Sequence, residues 1–287
     1  MNLARAARPT RLRLIIVTVA LAVAGLLAAT TQAASARTGA QHVFRWDGGA
    51  KPAIVLEHGA WADASSWDKV IVQLHEDGFT VYAPPNPLRG VTYDSTYLSD
   101  FLSTIPGPIV LVGHSYGGFV ITNAATGNAN VKALVYVDAF IPDQGDTLGG
   151  LANAQPGSCL GGNPANVFNV VPYSGPPADV HLYIKPNLVP GCFASGLPAP
   201  QAAVIAATQR PLAESVFGEP SGPPAWTAIP SCAVIGTAER VIPPAQLTFM
   251  AKRAGAHITD VNAGHLSMIS RANTVTKVII DAANANG

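Results

Sequence analysis

A serine flanked by glycines follows a run of apolar residues, in the pattern Gly-x-Ser-x-Gly over Gly113–Gly117. The run Pro108–Val112 predicts a buried strand, and Phe119–Ala125 predicts a helix. A serine on so sharp a strand-to-helix turn needs glycine at both flanks, because side chains there would collide. Such a turn exposes the hydroxyl at the carboxyl end of a parallel strand, where open α/β sheets build their sites. Ser115 is therefore the candidate nucleophile.

A serine hydroxyl becomes a useful nucleophile when a base accepts its proton and a third group orients that base. His265 lies in a glycine-containing turn between the last predicted strand and the last predicted helix. Glu239 follows the penultimate predicted strand, where an orienting acid is expected. Asp138 ends the preceding strand of the sheet and can also reach the histidine, so it is the alternative acid.

An acyl-transfer site also needs N–H donors for the negative oxygen of its tetrahedral intermediate. The first predicted donor is the backbone N–H of Tyr116, directly after the serine. The second comes from the loop after the first buried strand, where Ala60 is the favoured donor and Trp61 the alternative. Trp61 and Phe140 lie close to strand ends and are the predicted pocket residues.

The chain contains no His-Glu-x-x-His pattern, no Cys/His quartet and no Gly-x-Gly-x-x-Gly after a strand. We therefore expect no metal and no cofactor. Charged residues make up 12% and hydrophobic residues 48% of the chain, and no basic stripe exists beyond the first residues. This composition excludes a disordered chain and predicts no nucleic-acid partner.

Apolar runs alternate with helix-like segments, which predicts βαβ units and a parallel sheet. The predicted strands, besides the one before Ser115, are Ala53–Leu56, Thr80–Ala83, Val131–Val137, Ala233–Ile235 and Ile258–Val261. The predicted helices, besides the one after Ser115, are Ser66–His75, Tyr93–Ile105 with Asp94 as its cap, Pro244–Ala254 and Asn273–Ala283.

The alternation breaks over residues 142–230, which hold 15 of the 24 prolines. Long stretches without regular structure are uncommon inside compact domains. We therefore interpret about 142–228 as a cap or lid inserted over the site, with only short helices such as Gln201–Gln209.

Four arginines precede the apolar run Leu14–Ala29, and Ala34-Ser-Ala36 then supplies small residues for cleavage. This is the layout of a secretory signal peptide, and 16 apolar residues are short for a membrane span. We predict cleavage near Ala36, a domain over 37–287, and export without a membrane anchor. The mature chain would keep 13 basic against 17 acidic residues.

Three cysteines remain, and an exported chain meets an oxidising compartment. Cys159 and Cys192 both lie in the proline-rich stretch, and we predict a disulfide between them. Cys232 lies in an apolar strand, where a thiol commonly serves as a small hydrophobic side chain.

Four separated motifs, in order, resemble the α/β-hydrolase superfamily, and within it the bacterial branch related to plant methyl esterases and hydroxynitrile lyases. They are Val55–Trp67, Gly113–Gly118, Gly236–Pro244 and Ala263–His265. The resemblance covers about residues 42–284. It implies an eight-stranded, mostly parallel sheet flanked by helices, a cap after the sixth strand, and ester hydrolysis without a cofactor.

Two departures from this branch affect the expected chemistry. The acid motif usually reads Lys-Asp or Glu-Asp, whereas Ala238-Glu239 stands here. The lyases carry a lysine beside the histidine and a threonine in the oxyanion loop, where this chain has Leu266 and Gly59. The hypothesis is thus a serine hydrolase of a small-molecule ester. The alternatives are an acyltransferase or perhydrolase with the same triad, and a non-catalytic binding protein on the same fold; the sequence does not determine the substrate or the oligomeric state.

Overall fold

The computed structural model describes residues 51–175 and 178–286. The predicted signal peptide, 1–36, lies outside the described residues. Nine strands are present in the described part: β1 Ala53–Glu57, β2 Val81–Tyr82, β3 Ile109–His114, β4 Val131–Val137, β5 Phe168–Tyr173, β6 Asp179–Ile184, β7 Leu212–Ala213, β8 Ser231–Gly236 and β9 His257–Val261.

The described helices connect these strands or cover the sheet. They are α1 Asp68–Glu76, α2 Val91–Ser103, α3 Gly117–Ala124, α4 Leu148–Ala152, α5 Pro164–Val167, α6 Ala199–Ala207, α7 Pro244–Arg253, α8 Ser267–Ser270 and α9 Ala272–Asn286. Three short 3₁₀ segments lie at Ala64–Trp67, Glu214–Phe217 and Ala225–Thr227. None of the helices in the described ranges is long and apolar enough to span a bilayer.

Six strands form one parallel sheet in the order β2-β1-β3-β4-β8-β9. β1 and β3 are buried along their whole length, as expected for central strands covered by helices on both faces. The register pairs Glu57 with Gly113 and Val137 with Val234, so the strands end at one edge of the sheet. The chain reverses direction across the sheet between β1 and β3, and the crevice at such a switch point is the usual ligand site.

The predicted α/β architecture with a parallel central sheet is confirmed. The strand count differs from the eight that the resemblance implies, since the main sheet has six strands within the described residues. All six are parallel. The segment that we interpret as a cap leaves the sheet after β4, the fourth described strand, and returns to it at β8.

Residues 138–230, between β4 and β8, contain regular structure that the sequence analysis missed. β5, β6 and β7 form a separate three-stranded antiparallel sheet, in which Phe168 pairs with Ile184 and Tyr173 with Asp179. Pro172 lies inside β5, and a proline within a run argues against a strand when only the sequence is read. Much of β5 is also exposed, so its residues show no clear alternation.

The predicted cap of the second helix is wrong. The helix α2 begins at Val91 with Gly90 as its N-cap residue, and Asp94 lies inside its first turn. Glu219, which lies after the 3₁₀ segment Glu214–Phe217, accepts hydrogen bonds from the N–H groups of Val91 and Thr92. A carboxylate at this place satisfies two donors that have no partner inside the helix.

A disulfide joins the predicted pair, Cys159 and Cys192, with the two Cα atoms 5.8 Å apart. Cys232 is the free cysteine of the described residues and is partly buried in β8.

Candidate active site

The turn that carries Ser115 is strained, with a positive φ of 53° at the serine itself. A Cβ on Gly113 would lie 2.7 Å from the carbonyl oxygen of Gly117, and a Cβ on Gly117 would lie 2.6 Å from that of Glu57. Both glycines are therefore required by close backbone contacts. A non-glycine residue at positive φ costs about 1–3 kcal/mol, and such strain often occurs at functional sites.

Three side chains from separate loops form a hydrogen-bonded chain. The hydroxyl of Ser115 donates to Nε2 of His265 at 3.0 Å, and Nδ1–H of His265 donates to Oε2 of Glu239 at 2.7 Å. The other carboxylate oxygen of Glu239 accepts from the backbone N–H groups of Val241 and Ile242, the latter at 3.1 Å. The three residues lie in the loops that follow the carboxyl ends of β3, β8 and β9. The arrangement is that of a nucleophile, a base and a group that orients the base.

Burial controls the proton positions in this chain. His265 is fully buried, and the loss of hydration lowers the pKa of its imidazole to about 3. The ring is thus neutral at pH 7 and Nε2 can accept a proton. Burial raises the pKa of Glu239, whereas the N–H donors of Val241 and Ile242 oppose that rise because they favour the carboxylate.

The alternative acid, Asp138, lies at a different place in this edge of the sheet. Its Oδ1 accepts a hydrogen bond from the N–H of Gly236 at 2.6 Å, and the hydroxyl and N–H of Ser267 face the same carboxylate and favour its charged form. Burial, followed by the nearby charge of Glu239, raises the pKa of Asp138 well above its ordinary value. Of the two carboxyl groups, Glu239 is the one hydrogen-bonded to His265.

The backbone donors predicted for an oxyanion differ in availability. No group in the described ranges accepts a hydrogen bond from the N–H of Tyr116 or of Ala60, whereas the N–H of Trp61 donates to the carbonyl oxygen of Arg210 at 3.0 Å. A Cβ on Gly59 would lie 2.6 Å from that of Ser115, so the loop after β1 packs directly on the serine turn. Tyr116 and Ala60 are thus the available donors, and Trp61, the alternative, is occupied.

Two further histidines hold loops at the site. The ring of His58 accepts from the N–H of Asn86 at 2.9 Å, and its other nitrogen contacts the carbonyl oxygen of Gly59. His114 donates from Nε2 to the carbonyl oxygen of His265 at 2.9 Å. Burial lowers the pKa of both rings, to about 4 for His58. Both imidazoles are therefore neutral at pH 7, and their hydrogen bonds hold the backbone of the loops around the site.

A pocket of about 590 Å³ opens beside Ser115 and contains both predicted pocket residues, Trp61 and Phe140. None of the described residues that line it is charged. Leu148, Leu160, Phe168, Leu212, Phe217 and Val241 supply much of the apolar wall. Trp61 has a positive φ of 58°; its indole N–H donates to the carbonyl oxygen of Leu182 at 2.7 Å and its ring stacks on Phe168.

Phe193, an aromatic residue of the segment that we interpret as a cap, is a further neighbour of the site. Its fully buried ring lies 5.2 Å from the imidazole of His265 and meets Trp61 edge-on at 6.1 Å. The predicted disulfide at the adjacent Cys192 was the one sequence feature that pointed to this part of the chain. Phe168, in contrast, lines the pocket directly.

Within the described ranges, no group of three or more histidine, cysteine, aspartate or glutamate side chains is arranged to hold a metal ion.

Comparison with known sequences identifies one family and two curated relatives. The family described as the alpha/beta hydrolase family matches residues 54–277. A carbendazim hydrolyzing esterase from a Nocardioides species is 37% identical over 108 residues, which is 33% of this chain and 44% of the relative. An alpha-hydroxynitrile lyase from Arabidopsis thaliana is 32% identical over 103 residues, 31% of this chain and 40% of the relative. Both alignments thus span less than half of the relative's length.

Solved structures share the fold at low sequence identity. Polyneuridine aldehyde esterase superposes with a TM-score of 0.69 at 18% identity, over 81% of this chain and 99% of its own. An extracellular alpha/beta-hydrolase from a Paenibacillus species gives 0.65 at 20% identity, over 82% and 99%. A pyrethroid hydrolase from Sphingobium faniae gives 0.64 at 21% identity, over 82% and 98%. The resemblance drawn from the four sequence motifs is confirmed.

Proposed function

We propose a function for a chain that belongs to the alpha/beta hydrolase family: it is a secreted serine hydrolase that cleaves small carboxylic esters through an acyl-enzyme. The observation that carries this proposal is the continuous hydrogen-bonded chain from Ser115 through His265 to Glu239. The curated esterase relative and the esterase fold neighbours support the coarser statement that the chain is esterase-like.

In the first half of the reaction, His265 accepts the proton of Ser115 as Oγ attacks the ester carbonyl carbon. The C–O double bond becomes a C–O⁻ single bond, and the N–H groups of Tyr116 and Ala60 bind the negative oxygen. Glu239 keeps the proton of the imidazole on Nδ1 and stabilises the imidazolium that forms. The imidazolium then gives its proton to the leaving alkoxide, and the ester bond breaks to leave the acyl group on Ser115.

In the second half, water replaces the alcohol beside His265. The imidazole removes a proton from the water, the hydroxide attacks the acyl carbon, and the same two N–H groups bind the oxyanion again. Collapse of this intermediate returns the proton to Oγ of Ser115 and releases the carboxylic acid. Both steps balance with these three side chains, the two backbone N–H groups, the ester and water.

The pocket supports a neutral ester with apolar groups as the substrate. Among the described residues, its wall has no charged side chain that would pair with an ionic substituent, and Trp61 and Phe140 present aromatic surface beside the serine. Secretion is supported by the signal-like arrangement of the first 36 residues and by the Cys159–Cys192 disulfide, since disulfides persist in oxidising compartments.

The test is hydrolysis of p-nitrophenyl acetate by the wild-type protein and by Ser115→Ala, with Ser103→Ala, an exposed serine at the end of α2, as the control. We expect Ser115→Ala to lose at least about a thousandfold in kcat, as in other serine hydrolases without their nucleophile. A fluorophosphonate probe should label the wild type and Ser103→Ala, and leave Ser115→Ala unlabelled. Full hydrolysis by Ser115→Ala refutes the nucleophile, and a wild type that neither hydrolyses nor labels indicates a non-catalytic protein.

A further inference from the structure

The hydroxyl of Tyr116 donates a hydrogen bond to Oδ2 of Asp94 at 2.8 Å. Both residues are buried, with exposed fractions of 1% and 0%. Tyr116 directly follows the proposed nucleophile, and its backbone N–H is one of the two proposed oxyanion donors. A contact that fixes the side chain of Tyr116 therefore also affects the position of this N–H.

Asp94 is a buried carboxylate held by backbone donors and the tyrosine. Its oxygens accept from the N–H of Arg89 at 3.0 Å and from that of Gly90 at 3.4 Å, besides the hydroxyl of Tyr116. It forms no ion pair with the described residues. Burial is the main cause that raises its pKa, to about 6. An unpaired carboxylate in the interior is costly, so its three donors must together offset that cost.

The peptide that carries the N–H of Tyr116 is held on one side by backbone hydrogen bonds, because the carbonyl oxygen of Ser115 accepts from the N–H groups of Gly118 at 3.0 Å and Phe140 at 3.2 Å. Gly117 and Gly118 have no side chains, so Tyr116 supplies the large side chain that follows the serine. Its phenol ring, anchored at the hydroxyl by Asp94, adds a side-chain restraint to the same peptide. A displacement of about 1 Å in a catalytic group can cost a hundredfold in rate.

The same loop also connects to the segment over the site. The N–H of Ala213 in β7 donates to the carbonyl oxygen of Leu88 at 3.0 Å, and Glu219 accepts from the N–H of Thr92 at 2.9 Å. Leu212 and Phe217, in the same stretch as Ala213 and Glu219, line the pocket. The loop before α2 thus lies between the serine turn and one wall of the pocket.

We infer that Asp94 is a positioning residue: through the hydroxyl of Tyr116 it orients the backbone N–H that binds the oxyanion, and through the loop at Arg89 and Gly90 it aligns that donor with the pocket wall. This inference depends on the proposed ester hydrolysis. It assigns to Asp94 no contact with substrate.

The experiment measures kcat and KM for p-nitrophenyl acetate in Tyr116→Phe, Asp94→Ala and the double variant. We expect kcat to fall about tenfold in each single variant, less than the hundredfold or more for a deleted oxyanion donor, since the N–H is displaced rather than lost. KM should stay within about twofold because the pocket wall keeps its side chains. The double variant should be no slower than Asp94→Ala, because both changes break one contact.

Asp94→Asn tests the contact without removing the side chain. An amide oxygen at the position of Oδ2 keeps the contacts from Tyr116 and Gly90, while the NH₂ at the position of Oδ1 loses the shorter of the two contacts from the N–H of Arg89. We therefore expect kcat within about threefold of the wild type. This variant also keeps the test valid if Asp94→Ala does not fold.

Two controls separate positioning from general loss of stability. Tyr136→Phe removes another buried tyrosine hydroxyl, which contacts Oγ1 of Thr122 at 2.8 Å, and Asp100→Asn changes an exposed carboxylate on the same helix. Both should leave kcat unchanged. The inference is overturned if Tyr116→Phe keeps the wild-type kcat, if it changes KM alone, or if Tyr136→Phe lowers kcat equally. A wild type that hydrolyses no ester and binds no fluorophosphonate overturns the proposed function itself, and the inference with it.

Discussion

Replacing Glu239 by glutamine should remove catalysis while keeping the shape of the site. The Oε1 atom of Glu239 accepts from two backbone donors, Val241 and Ile242, and Oε2 accepts from His265. A glutamine amide has one acceptor and one donor end, so only one of these two sets of contacts can be kept.

The energies decide which way the amide turns. With its NH₂ toward Val241 and Ile242, two buried N–H donors would lose their acceptor, at about 1–3 kcal/mol each. The carbonyl oxygen therefore stays there, and the NH₂ faces Nδ1 of His265. Because Nδ1 must then be the acceptor, the proton of the neutral ring moves to Nε2, which faces Ser115. In that tautomer the ring cannot accept the proton of the serine.

We expect Glu239→Gln to lower kcat about 10⁴-fold, the loss seen when the orienting acid of a serine protease becomes an amide. This corresponds to about 5.5 kcal/mol of transition-state stabilisation. The matched control is Asp138→Asn. Its amide oxygen can keep the bond from Gly236, and its NH₂ can donate to the hydroxyl of Ser267, which faces this side chain. We expect its kcat within about threefold of the wild type.

The assay is initial-rate hydrolysis of p-nitrophenyl acetate at saturating substrate, with thermal unfolding of each variant to verify the fold. The reasoning fails if Glu239→Gln keeps more than a tenth of the wild-type kcat. A hundredfold loss in Asp138→Asn, with Glu239→Gln nearly intact, would make Asp138 the orienting acid.

Three more outcomes follow from close contacts, burial and chain topology. Gly59→Ala would place a Cβ 2.6 Å from that of Ser115, so both kcat and the melting temperature should fall, and a variant with wild-type values for both would contradict the packing. Burial lowers the pKa of His265, and protonation of the imidazole at low pH removes the base. The acid limb of kcat/KM should therefore have its midpoint below pH 6.5. A midpoint at or above 6.5 in a pH–rate profile would show an unperturbed imidazole. Replacing both Cys159 and Cys192 by serine opens a loop of 33 residues. The free energy of unfolding, measured by urea denaturation, should fall by about 3–4 kcal/mol. A loss below about 1 kcal/mol would contradict the chain-entropy account.

The main sheet could be predicted from the sequence because its strands are nearly continuous apolar runs. β1, β3 and β4 agree with the predicted strands to within two residues. The sheet formed by β5, β6 and β7 could not be predicted, because its strands are partly exposed and one contains Pro172. These strands are stabilised by pairing with one another and by packing on the rest of the domain, and a local sequence pattern does not reveal such contacts.

The candidate site was predictable where local geometry demands particular residues. Glycines beside Ser115 and the order of serine, acid and histidine follow from backbone contacts and from strand order. Strand order favoured Glu239 and kept Asp138 as the alternative, because both follow the ends of neighbouring strands; the hydrogen bonds distinguish them. Asp94 was interpreted as a helix cap from its place at the start of a predicted helix. Its contact with Tyr116 joins residues 22 positions apart, which a local pattern does not reveal.

The wall of the pocket is joined to the loop that carries the acid. Ser158 donates from its hydroxyl to the carbonyl oxygen of Val241, and the N–H of Cys159 donates to that of Arg240, both at 2.7 Å. Ser158 and Val241 both line the pocket, and the N–H of Val241 donates to Glu239. A substitution that shifts this wall therefore also shifts the loop that holds the carboxylate.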